Sequence, residues 1–244
     1  MWTWFYRLAS PPHVYRVAAV FAPWLLSCAA ALILYGLIDG LVFAPPDYQQ
    51  GDAFRIIYVH VPASSLSMLC YVVMAVAGAI GLVWRIKVAY AVAAAAAPIG
   101  ASFTLLTLAT GSLWGKPMWG TYWAWDPRLT TELILLFLYF GVMSLRAAFE
   151  DPNRGDRAAA LLAIVGVVNI PIIHFSVVWW NSLHQGATIL KLGKPEIDAS
   201  MALPLYAMLL GFVLFFGGVL CLRLRGEVLI RERLASWVRE AVKT

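Results

Sequence analysis

Six stretches of about twenty residues run almost without a charge: Ala18–Ile38, Ile57–Val83, Val88–Thr110, Leu129–Leu145, Ala158–Trp180 and Met201–Leu222. A helix rises about 1.5 Å per residue, so each stretch matches a hydrocarbon core about 30 Å thick. Inside lipid the backbone must satisfy its own N–H and C=O groups, which an apolar stretch of this length does as a helix. The predicted fold is an all-α integral membrane bundle of six transmembrane helices. Composition agrees, because only 13% of residues are charged, against about 25% in a soluble domain. With no repeat and no compositional break, residues 1–244 read as a single polytopic domain. Pro23, Pro98 and Pro171 fall inside spans and are expected to kink them.

The first span is longer than the apolar core of a signal peptide, so it reads as retained. Trp2, Trp4, Phe5 and Tyr6 ahead of it suit a membrane interface. Lys and Arg set the orientation. With a cytoplasmic N-terminus, thirteen of the 18 basic residues fall inside and five outside: Arg55, Lys116, Arg128, Lys191 and Lys194. That bias places both termini in the cytoplasm and turns three loops outward: Asp39–Ile56, Gly111–Arg128 and Asn181–Ser200. The basic residues lie in short clusters between spans, which reads as a topology signal and argues against nucleic acid. Residues 223–244 alternate charge with Val228, Leu229, Leu234, Trp237 and Val238, as an amphipathic helix on the inner membrane surface would.

The second outer loop, 111–128, holds four of the eleven tryptophans. An interfacial belt would spread them over many helix ends. Here Trp114, Trp119, Trp123 and Trp125 crowd together with Tyr122, and Gly115, Gly120, Pro117 and Pro127 shape the backbone between them. That density predicts an aromatic platform for a flat apolar ligand. Asp126 precedes Pro127 as an N-cap precedes a helix. Glu132, one turn into the fourth span, needs a partner; Arg128 stands four residues earlier and is the nearest candidate.

His60 and His184 sit at the outer ends of the second and fifth spans, level with this loop. Two neutral imidazoles on opposite faces of a porphyrin are a standard way to hold haem iron. Zinc would want four close ligands, and Cys28, Cys70 and Cys221 all lie in apolar spans. His60 and His184 are therefore the candidate axial ligands. Arg55 and Arg128 are candidates for the propionates. His13 reads as a surface residue, and His174 as a buried residue hydrogen-bonded to Asn169 or Ser176. There is no CxxCH haem-attachment motif.

Trp119-Gly120-x-x-Trp123-x-Trp125-Asp126, with six spans and the placing of His60 and His184, resembles the tryptophan-rich signature of the heme exporter protein C family (CcmC) over the whole chain. The resemblance implies a protein of cytochrome c maturation that holds haem b at the outer face, with His60 and His184 as ligands. The tryptophan loop would support the haem and present it to the periplasmic chaperone CcmE. The implied partners also include the ATP-binding-cassette pair CcmA and CcmB and the small membrane protein CcmD. No phosphate-binding GxxxxGK[ST] loop occurs here, so ATP use would fall to a partner. No nucleophile or acid–base constellation is evident, which reads as binding and transfer without catalysis. Two rival readings are a bis-histidine b-type cytochrome and a haem-translocating transporter. The first would bury its histidines within the bundle. The second would need a polar path, for which Ser64, Ser65, Ser67, Thr104, Thr107, Glu132, Asn169 and His174 are thin provision.

Overall fold

The computed structural model describes Arg7, residues 9–184 and residues 197–241. Trp2, Trp4, Phe5, Tyr6, Lys191, Lys194 and Lys243 lie outside the described residues. Helix α1 covers Pro11–Ile38, α2 Ile57–Trp84, α3 Lys87–Trp119, α4 Pro127–Ala147, α5 Pro152–Gly166, α6 Asn169–Trp179, α7 Ala199–Arg231 and the short α8 Ser236–Ala241. Together they supply six spans long and apolar enough to cross a membrane, α5 and α6 sharing one of them. The predicted all-helical, six-span fold is present.

Three boundaries differ from the sequence reading, each for a physical reason. Helix α3 does not stop at Thr110 but continues to Trp119. Pro117 forfeits one helical bond, yet Trp114 and Gly115 are buried against the bundle, and tertiary packing of this kind outweighs local propensity. Gly120 then ends the helix in the left-handed region at φ 75°, its N–H returning to the Lys116 carbonyl at 3.1 Å. The fifth span breaks at Val167–Val168 instead of merely bending at Pro171. A proline ring clashes with the carbonyl four residues back, here that of Val167. Ile170 N–H bonds that carbonyl at 3.0 Å in a tighter turn, and the Asn169 side chain donates to the Thr131 carbonyl at 2.9 Å. Pro23 and Pro98 lie within helices that run on past them. Lastly, α7 continues beyond Leu222 to Arg231, so the basic segment begins as its final turns and not as a separate helix. Trp237 of α8 packs near Tyr15, ring centroids 5.7 Å apart.

Helices α2 and α3 form the centre, the most buried pair of spans. Helix α2 also touches α5 and α7, while α1 lies outermost along α7. Gly211 and Gly218, one heptad apart on α7, allow that approach: a Cβ on either would come within 2.8 Å of the Ile33 side chain or 2.7 Å of Leu26. In mid-bundle the fully buried rings of Tyr71 and Tyr139 meet edge to face at 5.0 Å. Tyr139 donates to the Ser67 carbonyl at 2.7 Å.

At the end of the bundle nearer the basic tail, Arg146 of α4 donates to Asp156 of α5 at 3.0 Å and to Glu227 of α7 at 2.8 Å. Arg231 of α7 donates a second time to Asp156, at 2.9 Å. The near-complete burial of Asp156 is tolerable because two guanidinium groups neutralise it. At the opposite end three connections meet: the segment before Gly51, the Gly120–Asp126 turn, and the stretch from Trp180 to His184. All three border the site described next.

Candidate functional site

Helix α3 presents Thr107, Gly111, Trp114 and Met118 along one face, at the spacing of a helical stripe. With His60 and Ser64 of α2, Arg128 and Glu132 of α4 and Gln50, Trp119 and His184, they line one cleft.

His60 is buried in the first turns of α2. Its Nδ1 lies 2.9 Å from the Thr110 hydroxyl oxygen. That hydroxyl gives its own hydrogen to the Leu106 carbonyl at 2.7 Å, so its oxygen is left to accept and Nδ1 carries the proton. The Nε2 lone pair is then the free one, the arrangement a metal-binding imidazole needs. A Cβ on Gly111 would stand 3.1 Å from the His60 ring, so a small residue there keeps the ring in place. Trp114 meets His60 edge-on at 5.5 Å and donates its indole N–H to Gln50 at 2.9 Å. Gln50 is in turn positioned by Asp47, which accepts its backbone N–H at 2.8 Å.

The second imidazole comes from the other side. The rings of His184 and His60 are 6.2 Å apart, centre to centre, and inclined at 32°. Metal–imidazole bonds are about 2.0–2.1 Å, so two rings facing one ion stand roughly 6 Å apart between centres. Trp119 lies 6.3 Å from His184. Its ring folds back over its own helix, where a Cβ on Gly115 would come within 2.9 Å of it. Among the described residues, no three His, Cys, Asp or Glu side chains gather as a metal cluster would require.

Asp126 is buried beside the cleft and does two things at once. One oxygen caps α4 by accepting from Arg128 N–H at 2.9 Å. The other accepts from the Ser182 hydroxyl at 2.7 Å and the Leu183 N–H at 2.8 Å. Glu132 takes its hydrogen bond from Ser67 at 2.7 Å. Arg128 is its electrostatic neighbour, without a close ion pair among the described residues.

Residues 4–239 match the family described as heme exporter protein C. Relatives of that name are 50% identical in Escherichia coli K12, over 99% of this chain and 98% of theirs, and 48% identical in Haemophilus influenzae, over 100% and 99%. The relative in Rhodobacter capsulatus is 40% identical over 96% of this chain and 98% of its own.

The chain belongs to the heme exporter protein C family.

In this member the structure gathers His60, His184, Trp114, Trp119 and Arg128 around one cleft. Gly120 serves as a helix cap, and Asp126 lies behind the site. Tyr122, Trp123 and Trp125 stand outside the cleft lining in the turn that follows α3. Trp123 and Trp125 meet edge to face at 5.5 Å, Trp125 is 77% exposed, and Tyr122 lies under the Lys116 ammonium. Arg55 does not line the cleft; it donates to the Gly40 carbonyl at 2.9 Å and pairs with Asp52 at 3.0 Å. His174 is exposed on α6 and edge-on to Phe175, not buried, while Asn169 and Ser176 bond to carbonyls elsewhere. Thr110, Gly111, Gln50 and Ser182 were not singled out by sequence reasoning. Gly111 carries a signal, since Thr107, Gly111, Trp114 and Met118 follow a helical period across a stretch that Gly115 and Pro117 mark as loop.

Proposed function

We propose that this protein holds haem as a cargo at the periplasmic end of its bundle and hands it to a periplasmic acceptor during cytochrome c maturation. The observation that carries the reading is the pair of imidazoles, His60 and His184, 6.2 Å apart across a cleft walled by Trp114 and Trp119. The relatives' printed name, heme exporter protein C, supports it. The positive-inside bias of the sequence supports the cytoplasmic termini and the periplasmic position of the cleft.

Under this reading the haem is haem b, bound without a covalent link. His60 and His184 supply the axial nitrogens, Trp114 and Trp119 the flat apolar walls, and Arg128 the charge for a propionate. Arg55 would have to exchange its present partners to contribute. Trp123 and Trp125, outside the lining, are placed for the acceptor's side of the exchange. The acceptor is the chaperone CcmE, and CcmA, CcmB and CcmD complete the assembly. The protein's part is ligand exchange, so it binds and transfers without being an enzyme.

The test is the absorption spectrum of the purified protein loaded with haem, beside His60→Ala and His184→Ala. Each variant should lose its low-spin, six-coordinate signature and retain less haem. Full haem content with an unchanged low-spin spectrum in both variants would sink the assignment. A protein that cycles electrons with a quinol and never passes haem to an acceptor would be a cytochrome instead.

A further inference from the structure

His60 and His184 are held by different kinds of structure. His60 projects from a continuous helix at the centre of the bundle, and its ring nitrogen is fastened to Thr110 on the neighbouring helix. His184 stands five residues beyond the last residue of α6, in backbone that is not helical. Its main chain is linked to the start of α4 through side chains. Asp126 accepts from Ser182 and Leu183, and the Ser182 oxygen accepts from His184 N–H at 3.0 Å. The serine hydroxyl thus donates to the carboxylate and accepts from the histidine's own backbone, which makes a continuous chain from Asp126 to His184. Asp126 directly follows Trp125 at the end of the exposed aromatic turn, and its other oxygen caps α4.

We propose that Asp126 is a latch that couples the tryptophan turn to the position of His184, so that His184 is the ligand that leaves at handover and His60 the one that stays. The inference rests on the haem reading given under the proposed function. An acceptor that engages Trp123 and Trp125 pulls on the residue next to Asp126, and the segment carrying His184 loosens with it. The iron–nitrogen bond to His184 then breaks with the electron pair remaining on the imidazole. The acceptor's nitrogen donor takes the vacated position, and the iron's oxidation state does not change. Asp126 is a positioning residue in this scheme and touches no reacting atom.

Four variants of the haem-loaded full-length protein separate the latch from a mere helix cap. Asp126→Ser keeps a side chain that caps α4 but is too short to reach Ser182. Ser182→Ala leaves the cap untouched and removes one link. Asp126→Asn offers an amide where an acceptor is needed, and His184→Ala is the reference. The three latch variants should convert a large share of the haem to a five-coordinate, high-spin form. Added imidazole should restore the low-spin spectrum, as it does for His184→Ala. Haem should be lost roughly 10-fold faster, the lower end of what removing an outer-shell partner of a metal ligand costs. Wild-type spectra and haem loss in Asp126→Ser and Ser182→Ala, with His184→Ala altered, overturn the latch and leave the haem site standing. An unaltered His184→Ala overturns the haem site itself. Should Asp126→Ser fail to accumulate in membranes, Ser182→Ala decides the matter, since it disturbs no helix end.

Discussion

Replacing Thr110 by valine keeps the shape of the side chain and removes one oxygen, the acceptor that holds His60 Nδ1–H at 2.9 Å. His60 is only 6% exposed, so water cannot readily stand in for it. A buried donor left unpaired costs about 1–3 kcal/mol. That cost is met either by leaving the N–H bare or by turning the ring toward another acceptor, which misaligns Nε2. At about 1.4 kcal/mol per decade, the expected loss of haem affinity is roughly 5- to 150-fold. This brackets the 10- to 100-fold typical of lost outer-shell partners of metal ligands, taken as about that range. The assay is titration of apoprotein in detergent with haem, following the low-spin absorption band, with Thr110→Ser as the control that restores the oxygen. Thr110→Ser should lie near wild type and Thr110→Val well below it. Equal affinities for the valine and serine variants would refute the reasoning, because the bond would then hold nothing that binding needs.

Other outcomes follow from the same geometry. Trp119→Ala should lower haem loading, because Trp119 lines the cleft beside His184. Trp125→Ala should load normally but transfer slowly to the acceptor, because its ring is exposed outside the lining; single-turnover transfer separates the two. Gly100→Ala places a Cβ 2.0 Å from the Tyr139 hydroxyl oxygen and should destabilise by about 1–3 kcal/mol through overpacking. The double variant with Tyr139→Phe should recover part of that loss in thermal unfolding. Asp156→Ala removes one of the two carboxylates, Asp156 and Glu227, that Arg146 and Arg231 share, and should destabilise the fold by less than the about 3–5 kcal/mol of a buried charge left wholly unpaired. Haem ligation in whatever fraction remains folded should be unaltered, since the cluster lines a different part of the bundle. A cysteine replacing Thr121 should react with a membrane-impermeant thiol reagent from the periplasmic side, and labelling only after membrane rupture would reverse the proposed orientation.

Six spans, their all-helical character and the candidate pair of histidines were legible in the residues alone. The reason is that the bilayer acts on composition and length, which a sequence states directly. The clustering of tryptophans was legible for the same reason, as density along the chain. Which of those tryptophans face the cleft was not. Gly115 and Pro117 argue locally for a loop, and only the burial of Trp114 and Gly115 against neighbouring helices carries α3 on to Trp119. That extension turns a presumed shelf of four rings into two pairs: Trp114 and Trp119 at the cleft, Trp123 and Trp125 outside it. The break before Asn169 was signalled by Pro171 but placed by the carbonyl of Val167, four residues upstream.

The tertiary structure also assigned roles that spacing cannot state. Asp126 was readable as a cap, because capping is a local pattern in sequence. Its bonds to Ser182 and Leu183, more than fifty residues away, arise only when the chain has folded. Arg55 and Arg128 looked equivalent in a tally of outer charges, yet one is engaged by Gly40 and Asp52 and the other lines the cleft. The sequence by itself determined what kind of solvent this chain must fold in and which residue types stand at each membrane level. The packing of α2, α3 and α4 decided which of those residues meet, because contacts between distant segments depend on helix rotation and backbone approach, and neither is written along the chain.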